Sequence, residues 1–199
     1  MTKRYDGEYF EKWYRSASDR VHTQDEVRRK IALSVAATEY FLQRRLMTVL
    51  DIGCGEGAWM THLRPLRPRI QYTGIDSSDY AIERFGKSRN IRFGTFGDLG
   101  RLDLRKTFDL VVCSDVLHYL PEREIRSGLR HLVRLTGGIA YIEVLTKEDV
   151  VIGDLEGLTQ RPARWYKNLF GKAGLTAVGP YLWLSRRLAG LVGELEIPG

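Results

Sequence analysis

The sequence predicts an α/β fold: a mostly parallel, doubly wound sheet flanked by helices, in a single domain. Three observations carry this. Strand-like and helix-like segments alternate along the chain, which is the pattern of a parallel sheet with crossover helices. The run Thr48–Met60, TVLDIGCGEGAWM, reads as a strand passing through a glycine loop into a helix. At 199 residues the chain is long enough for one sizeable core.

The elements follow in order. Residues 1–22 hold Tyr5, Tyr9, Phe10, Trp13 and Tyr14 among charges and read as a short helix or an arm packed on the domain. Such aromatics give large contact area at small entropic cost, so the arm is equally a lid over a ligand. Thr23-Gln24-Asp25-Glu26 has the form of a capping box, and Val27, Ile31, Val35, Leu42 and Leu46 then recur at helical spacing over residues 24–46. After the glycine loop a helix runs from about Glu56 to a stop before Pro65. Ile70–Asp76 is the second strand, Asp79–Phe85 a helix capped by Ser77-Ser78 and closed by Gly86, and Asn90–Phe96 the third strand. Phe108–Asp115 is apolar throughout, as a strand covered on both faces should be. A helix from Pro121 through Leu135 leads to the fifth strand, Ile139–Leu145. Residues 146–161 read as a loop, 162–173 as a helix, 175–185 as one or two strands broken near Gly179-Pro180, and 186–195 as a basic tail. The organisation is therefore an arm or lid, 1–22, and a domain, 23–199, whose core spans 46–145 and whose last part, 146–199, lies on the acceptor side.

Composition narrows the class. A hydrophobic fraction of 43% and a charged fraction of 28% suit a globular protein. The first residues lack the apolar stretch of a secretory signal, and no apolar run reaches the ~18 residues of a membrane span. Cys54 and Cys113 fall within core elements without metal-ligand spacing, so no metal is expected and a reducing cytoplasm is the expected compartment. The net charge of +6 is spread as short basic pairs, which argues for solvated helix faces over a nucleic-acid surface.

Glycines at 53, 55 and 57 let the chain turn with positive φ and let a ligand approach the backbone. The loop also satisfies G-x-G-x-x-A, with Asp76 about 20 residues on, as in a nicotinamide dehydrogenase. Asp51 would repel a pyrophosphate there, the next strands also end in acids, and about 55 residues are too few for a hydride-acceptor domain. A phosphate-free nucleoside with a positive centre suits the loop better.

VLDIGCGEG, YTGIDSS, FGDL and FDLVVCSDVLHYLP, in that order, together with GGIAYIEVL, resemble the successive motifs of the class I S-adenosylmethionine-dependent methyltransferases. The resemblance covers roughly residues 46–145. It implies S-adenosylmethionine as cofactor, with Gly53, Cys54 and Gly55 along its methionine part and Asp51 near its amino group. It further implies Asp76, with Ser77 beside it, at the ribose hydroxyls and Asp98 and Leu99 at the adenine. Ser114 and Asp115 would face the sulfonium. Ser114-Asp115-Val116-Leu117 stands where enzymes acting on adenine or amide nitrogen carry Asn/Asp-Pro-Pro-Tyr, and Cys113 lacks the context of a cytosine-C5 nucleophile. His118 is the candidate general base, with Tyr119 beside it; Glu143 and His22 are weaker candidates. Trp165 and Tyr166 are either acceptor-pocket or core aromatics. Short insertions point to a small-molecule acceptor methylated by in-line displacement. The alternatives are an RNA or protein methyltransferase, a non-catalytic S-adenosylmethionine-binding module and, last, an NAD-dependent dehydrogenase.

Overall fold

A computed structural model describes residues 4–16, 21–104, 106–151 and 153–197. Seven strands form one sheet in the order β3-β2-β1-β4-β5-β7-β6. They are β1 (Thr48–Ile52), β2 (Gln71–Asp76), β3 (Ile91–Phe93), β4 (Phe108–Ser114), β5 (Thr136–Glu143), β6 (Thr176–Gly179) and β7 (Leu182–Leu184). The first five pair in parallel, and β7 pairs antiparallel with both β5 and β6. The helices are α1 (Gly7–Phe10), α2 (Gln24–Leu42), α3 (Ala58–Leu66), α4 (Asp79–Arg89), α5 (Glu122–Leu135), α6 (Ala163–Lys172) and α7 (Arg186–Ala189).

The strand order reverses direction of growth between β1 and β4, so their carboxyl ends flank the crevice in which such sheets bind ligands. Side chains of β4 alternate between two cores. Leu110 and Val112 pack with Ile31, Val35 and Leu63 on one face, and Val111 and Cys113 with Leu129 and Leu132 on the other. A period of two with both faces buried accounts for the unbroken apolar reading of this strand.

Asp109 ties the entry of β1 to β4. It pairs with Arg44 at 2.7 Å and accepts the backbone N–H groups of Met47 and Thr48 at 2.9 and 3.2 Å. The capping box at Thr23 forms, with Glu26 donating its N–H to the Thr23 hydroxyl and its carboxylate accepting the Thr23 N–H.

Several boundaries depart from expectation. Helix α4 runs through Gly86 to Arg89 and is capped by Asn90 at φ +51°. A Cβ at Gly86 would stand 3.1 Å from the Ile91 carbonyl, so this glycine serves close packing on β3. Helix α2 ends at Leu42, and Pro65 lies inside the last turn of α3. The arm is α1 followed by a π-helical turn, Glu11–Arg15, and its residues 1–3 and 17–20 lie outside the described set. Trp165 and Tyr166 pack against the core, with Tyr166 fully buried. No described helix is long and apolar enough to cross a membrane.

Candidate cofactor site

The glycine loop is fastened to the neighbouring strand. The N–H groups of Gly53 and Cys54 both donate to the Ile75 carbonyl, at 2.8 and 3.2 Å. Gly53 and Gly55 hold φ of +71° and +52°, a region side-chain-bearing residues rarely adopt. A Cβ on Gly53 would lie 2.2 Å from Val116 Cγ2, so the turn after β4 can close on the loop only because that position is glycine.

At the end of β2, Asp76 faces this loop. One oxygen accepts the Gly55 N–H at 2.6 Å and the other the Ser78 N–H at 2.8 Å. Each oxygen keeps a lone pair for a further donor. Burial raises the Asp76 pKa, and the backbone bonds from Ser78 and Gly55 oppose that rise. Asp51, inside β1, accepts the Tyr72 hydroxyl at 2.7 Å. Burial pushes its carboxyl up to about 7; the Tyr72 bond works against this and the Asp76 charge adds to it.

Two adjoining cavities open along these residues. The larger, about 230 Å³, extends from Asp76 and Ser77 past Gly94, Thr95 and Phe96 to Ser114, Asp115 and Tyr119. The smaller, about 170 Å³, is walled by Asp51, Cys54, Trp59, Arg15 and His22. Gly53, Gly55, Phe10, Tyr14, Ser114 and Asp115 border both. The arm is thus part of the wall, and the Phe10 ring, 4% exposed, rests against Gly55.

A charged network stands behind the ends of β4 and β5. Asp115, at φ +59°, meets His22 Nε2 at 2.9 Å. Lys30 Nζ lies 2.7 Å from Glu143 and 3.2 Å from His22, and Ser114 donates to Glu143 at 2.7 Å. A non-glycine residue in the left-handed region at a strand's carboxyl end is strained backbone of the kind that collects at functional sites. Burial lowers the His22 pKa, but the bond and charge of Asp115 outweigh it and the net shift is upward. Burial likewise raises Asp115, and His22 overrides it downward. The ligand atoms of His22, Asp115 and Glu143 lie close enough to hold a metal ion, yet the Lys30 ammonium already supplies the positive charge among them.

Three expected site residues stand elsewhere. His118 is 1% exposed, does not border either cavity, and accepts the Leu145 N–H on Nδ1 at 3.1 Å. It anchors the chain after β5 from behind Tyr119, whose ring centroid lies 4.3 Å from its own. Asp98 is two residues too far along: strand β3 is short, and Gly94-Thr95-Phe96 form the turn at the cavity while Asp98 accepts the Thr95 hydroxyl at 2.6 Å. Leu99 is fully buried in the core. Tyr119, Ser77, Cys54, Ser114 and Asp115 do border the cavities. Thr95, Phe96, Arg15 and Glu124 border them without having been expected; the turn after the three-residue β3 sets Thr95 there, and no local sequence signal marks it.

Known proteins resemble this chain in sequence and in fold. Residues 50–137 match the family described as "Methyltransferase domain". Magnesium protoporphyrin IX methyltransferase from Synechocystis PCC 6803, solved with bound SAH (S-adenosylhomocysteine), superposes with a TM-score of 0.62 over 86% of each chain at 18% identity. The fold is that of the class I methyltransferases. In sequence, the chain is 36% identical over 93 residues to nodulation protein S of Bradyrhizobium diazoefficiens, covering 44% of this chain and 43% of that protein. It is 29% identical over 123 residues to malonyl-[acyl-carrier protein] O-methyltransferase of Bacillus anthracis, covering 58% and 45%. The matched stretches thus span less than half the length of both relatives.

Proposed function

We propose that the protein transfers a methyl group from S-adenosylmethionine to a small-molecule acceptor. The observation that carries this is Asp76: a carboxylate fixed by two backbone N–H groups at the end of β2, with lone pairs left for a vicinal diol. No lysine or arginine among the described residues borders the larger cavity, which suits an adenosyl group and not a pyrophosphate. The adenine lies toward Thr95 and Phe96, and the methionyl part occupies the smaller cavity. There Asp51 takes the ammonium and Arg15, the one arginine among the described residues that borders that cavity, takes the carboxylate. The sulfonium then lies near Ser114 and Asp115, between the cavities.

Methyl transfer from a sulfonium is an in-line displacement, so most of the catalysis is positioning. The acceptor's lone pair forms the new bond to carbon as the carbon–sulfur bond breaks and sulfur keeps its electrons. Tyr5, Tyr9, Phe10 and Tyr14 of the arm, which border the larger cavity, act as a lid that excludes water from this step. The two cysteines are free thiols, which fits a reducing cytoplasm. Calorimetry with SAH tests the reading. Binding at roughly micromolar affinity, as metabolite sites commonly show, and a large loss in Asp76→Ala are expected; NADH binding in its place would refute it.

A further inference from the structure

We propose that the methyl acceptor is an amine. This rests on the methyl-donor reading above and follows from what borders the larger cavity. In a chain of net charge +6, no lysine, arginine or histidine among the described residues borders it, whereas Asp76, Asp115 and Glu124 do. Its remaining walls are rich in tyrosine: Tyr5, Tyr9, Tyr14 and Tyr119. Burial raises the pKa of all four, so each stays a neutral phenol at physiological pH and adds aromatic surface to the wall without adding a phenolate charge.

Asp154 reinforces two of those rings from behind. The Tyr119 hydroxyl donates to the Asp154 carbonyl at 2.9 Å, and the Tyr9 hydroxyl is hydrogen-bonded to the Asp154 carboxylate. A phenol that donates its proton toward an acceptor gains electron density on the ring, which strengthens the attraction of the ring face for a cation. Asp115 pairs with His22 through Oδ2, and no hydrogen bond from a described residue falls on Oδ1, which is left for a ligand.

The charges of the reaction select among acceptors. A carboxylate or phenolate entering here would shed its hydration beside Asp115 and Glu124, with no cationic side chain among the described residues of the wall to receive it, which is costly. An amine fits at both ends of the step. As an ammonium beside the sulfonium it would put two positive charges together, which drives its proton out to solvent before attack. The free-base nitrogen then uses its lone pair to form the N–C bond, and the C–S bond breaks with its electrons going to sulfur. The single positive charge thereby passes from sulfur to nitrogen, and the acids and rings that favour the sulfonium favour the methylated ammonium equally. Any proton that the new ammonium still carries leaves to water after release.

The test uses the full chain loaded with SAH, which mimics the product complex, and three probes of one shape class: benzyltrimethylammonium, benzyl alcohol and benzoate. The ammonium should bind at least about tenfold more tightly than either of the others, the margin expected of a desolvated cation–π site. Glu124→Gln should narrow that margin while SAH binding persists. Benzoate binding as well as the ammonium, or no binding of the ammonium to the SAH-loaded protein, overturns the amine assignment. Failure of SAH itself to bind would instead defeat the methyl-donor reading.

Discussion

The place proposed for Asp51, beside the cofactor's ammonium, makes affinity depend on pH in a way that one substitution can remove. Burial holds its carboxyl at about 7, far above an unfolded aspartate, so the folded protein retains a proton on Asp51 between the ordinary carboxylate range and neutrality. The sign for stability follows: this group favours the fold at low pH, and that contribution is lost as pH rises through the same window. Binding works in the opposite sense. If the cofactor's ammonium requires the ionised carboxylate, binding below pH 7 must expel the proton. At pH 6 roughly one molecule in eleven has Asp51 ionised, so affinity should be about tenfold weaker than at pH 8, or ~1.4 kcal/mol. Titration of SAH by calorimetry, in two buffers of different ionisation enthalpy, should show about 0.9 proton released at pH 6. Asp51→Asn should bind more weakly at pH 8 and lose most of the slope. Asp115 also shifts the His22 pKa upward, and the variant separates the two groups because it leaves His22 in place. A flat wild-type profile between pH 6 and 8, or an undiminished slope in the variant, would refute the role given to Asp51.

Two further outcomes follow from geometry. Gly53→Ala places a Cβ 2.2 Å from Val116 Cγ2 at φ +71°, and should cost about 2–4 kcal/mol of stability from backbone strain and overpacking together. Gly55→Ala meets the movable edge of the Phe10 ring at 2.8 Å, so it should unfold less readily than Gly53→Ala while still weakening SAH; denaturation midpoints that rank the other way would contradict this. Asp109→Ala removes the clamp on β1 and should destabilise by about 2–4 kcal/mol, allowing for the half-exposed Arg44. Burial raises the Asp109 pKa, but the bonds from Arg44, Met47 and Thr48 outweigh it and hold the pKa low. Its contribution is therefore present above the usual carboxylate pKa and lost as pH falls through the depressed one. Urea melts from pH 7 down to pH 3 should show the gap between wild type and variant closing with acid.

The nucleotide-binding half of the fold was legible because its signals are local. A strand covered on both faces, such as Phe108–Ser114, reads as apolar at every position, and a glycine every second residue after Asp51 has few other uses. Gly86 misled because a glycine can mark a helix end or a close approach, and only the Ile91 carbonyl beside it decides which. At the site, Asp51, Asp76 and Asp115 were named through the motif resemblance, and they border the cavities because the ends of long strands fix them there. Asp98, named the same way, does not, since β3 is only three residues long and the turn that follows sets Thr95 and Phe96 at the cavity. His118 was the candidate base by its place just after β4, yet it is buried and the Leu145 N–H after β5 takes its Nδ1. Contributions from distant sequence, such as Arg15 and Lys30, depend on how the arm and α2 pack across the strand ends, which no local pattern encodes; His22, near the arm, was named only as a weaker candidate.

The central claim is that this cleft holds an adenosyl sulfonium with Asp76 on its ribose. A crystal structure of the protein grown with SAH tests it most directly. The account predicts the ribose hydroxyls within hydrogen-bond distance of both Asp76 oxygens, the adenine against Thr95 and Phe96, and the methionyl carboxylate at Arg15. An empty cleft at saturating SAH, or SAH bound with its ribose away from Asp76, would contradict it.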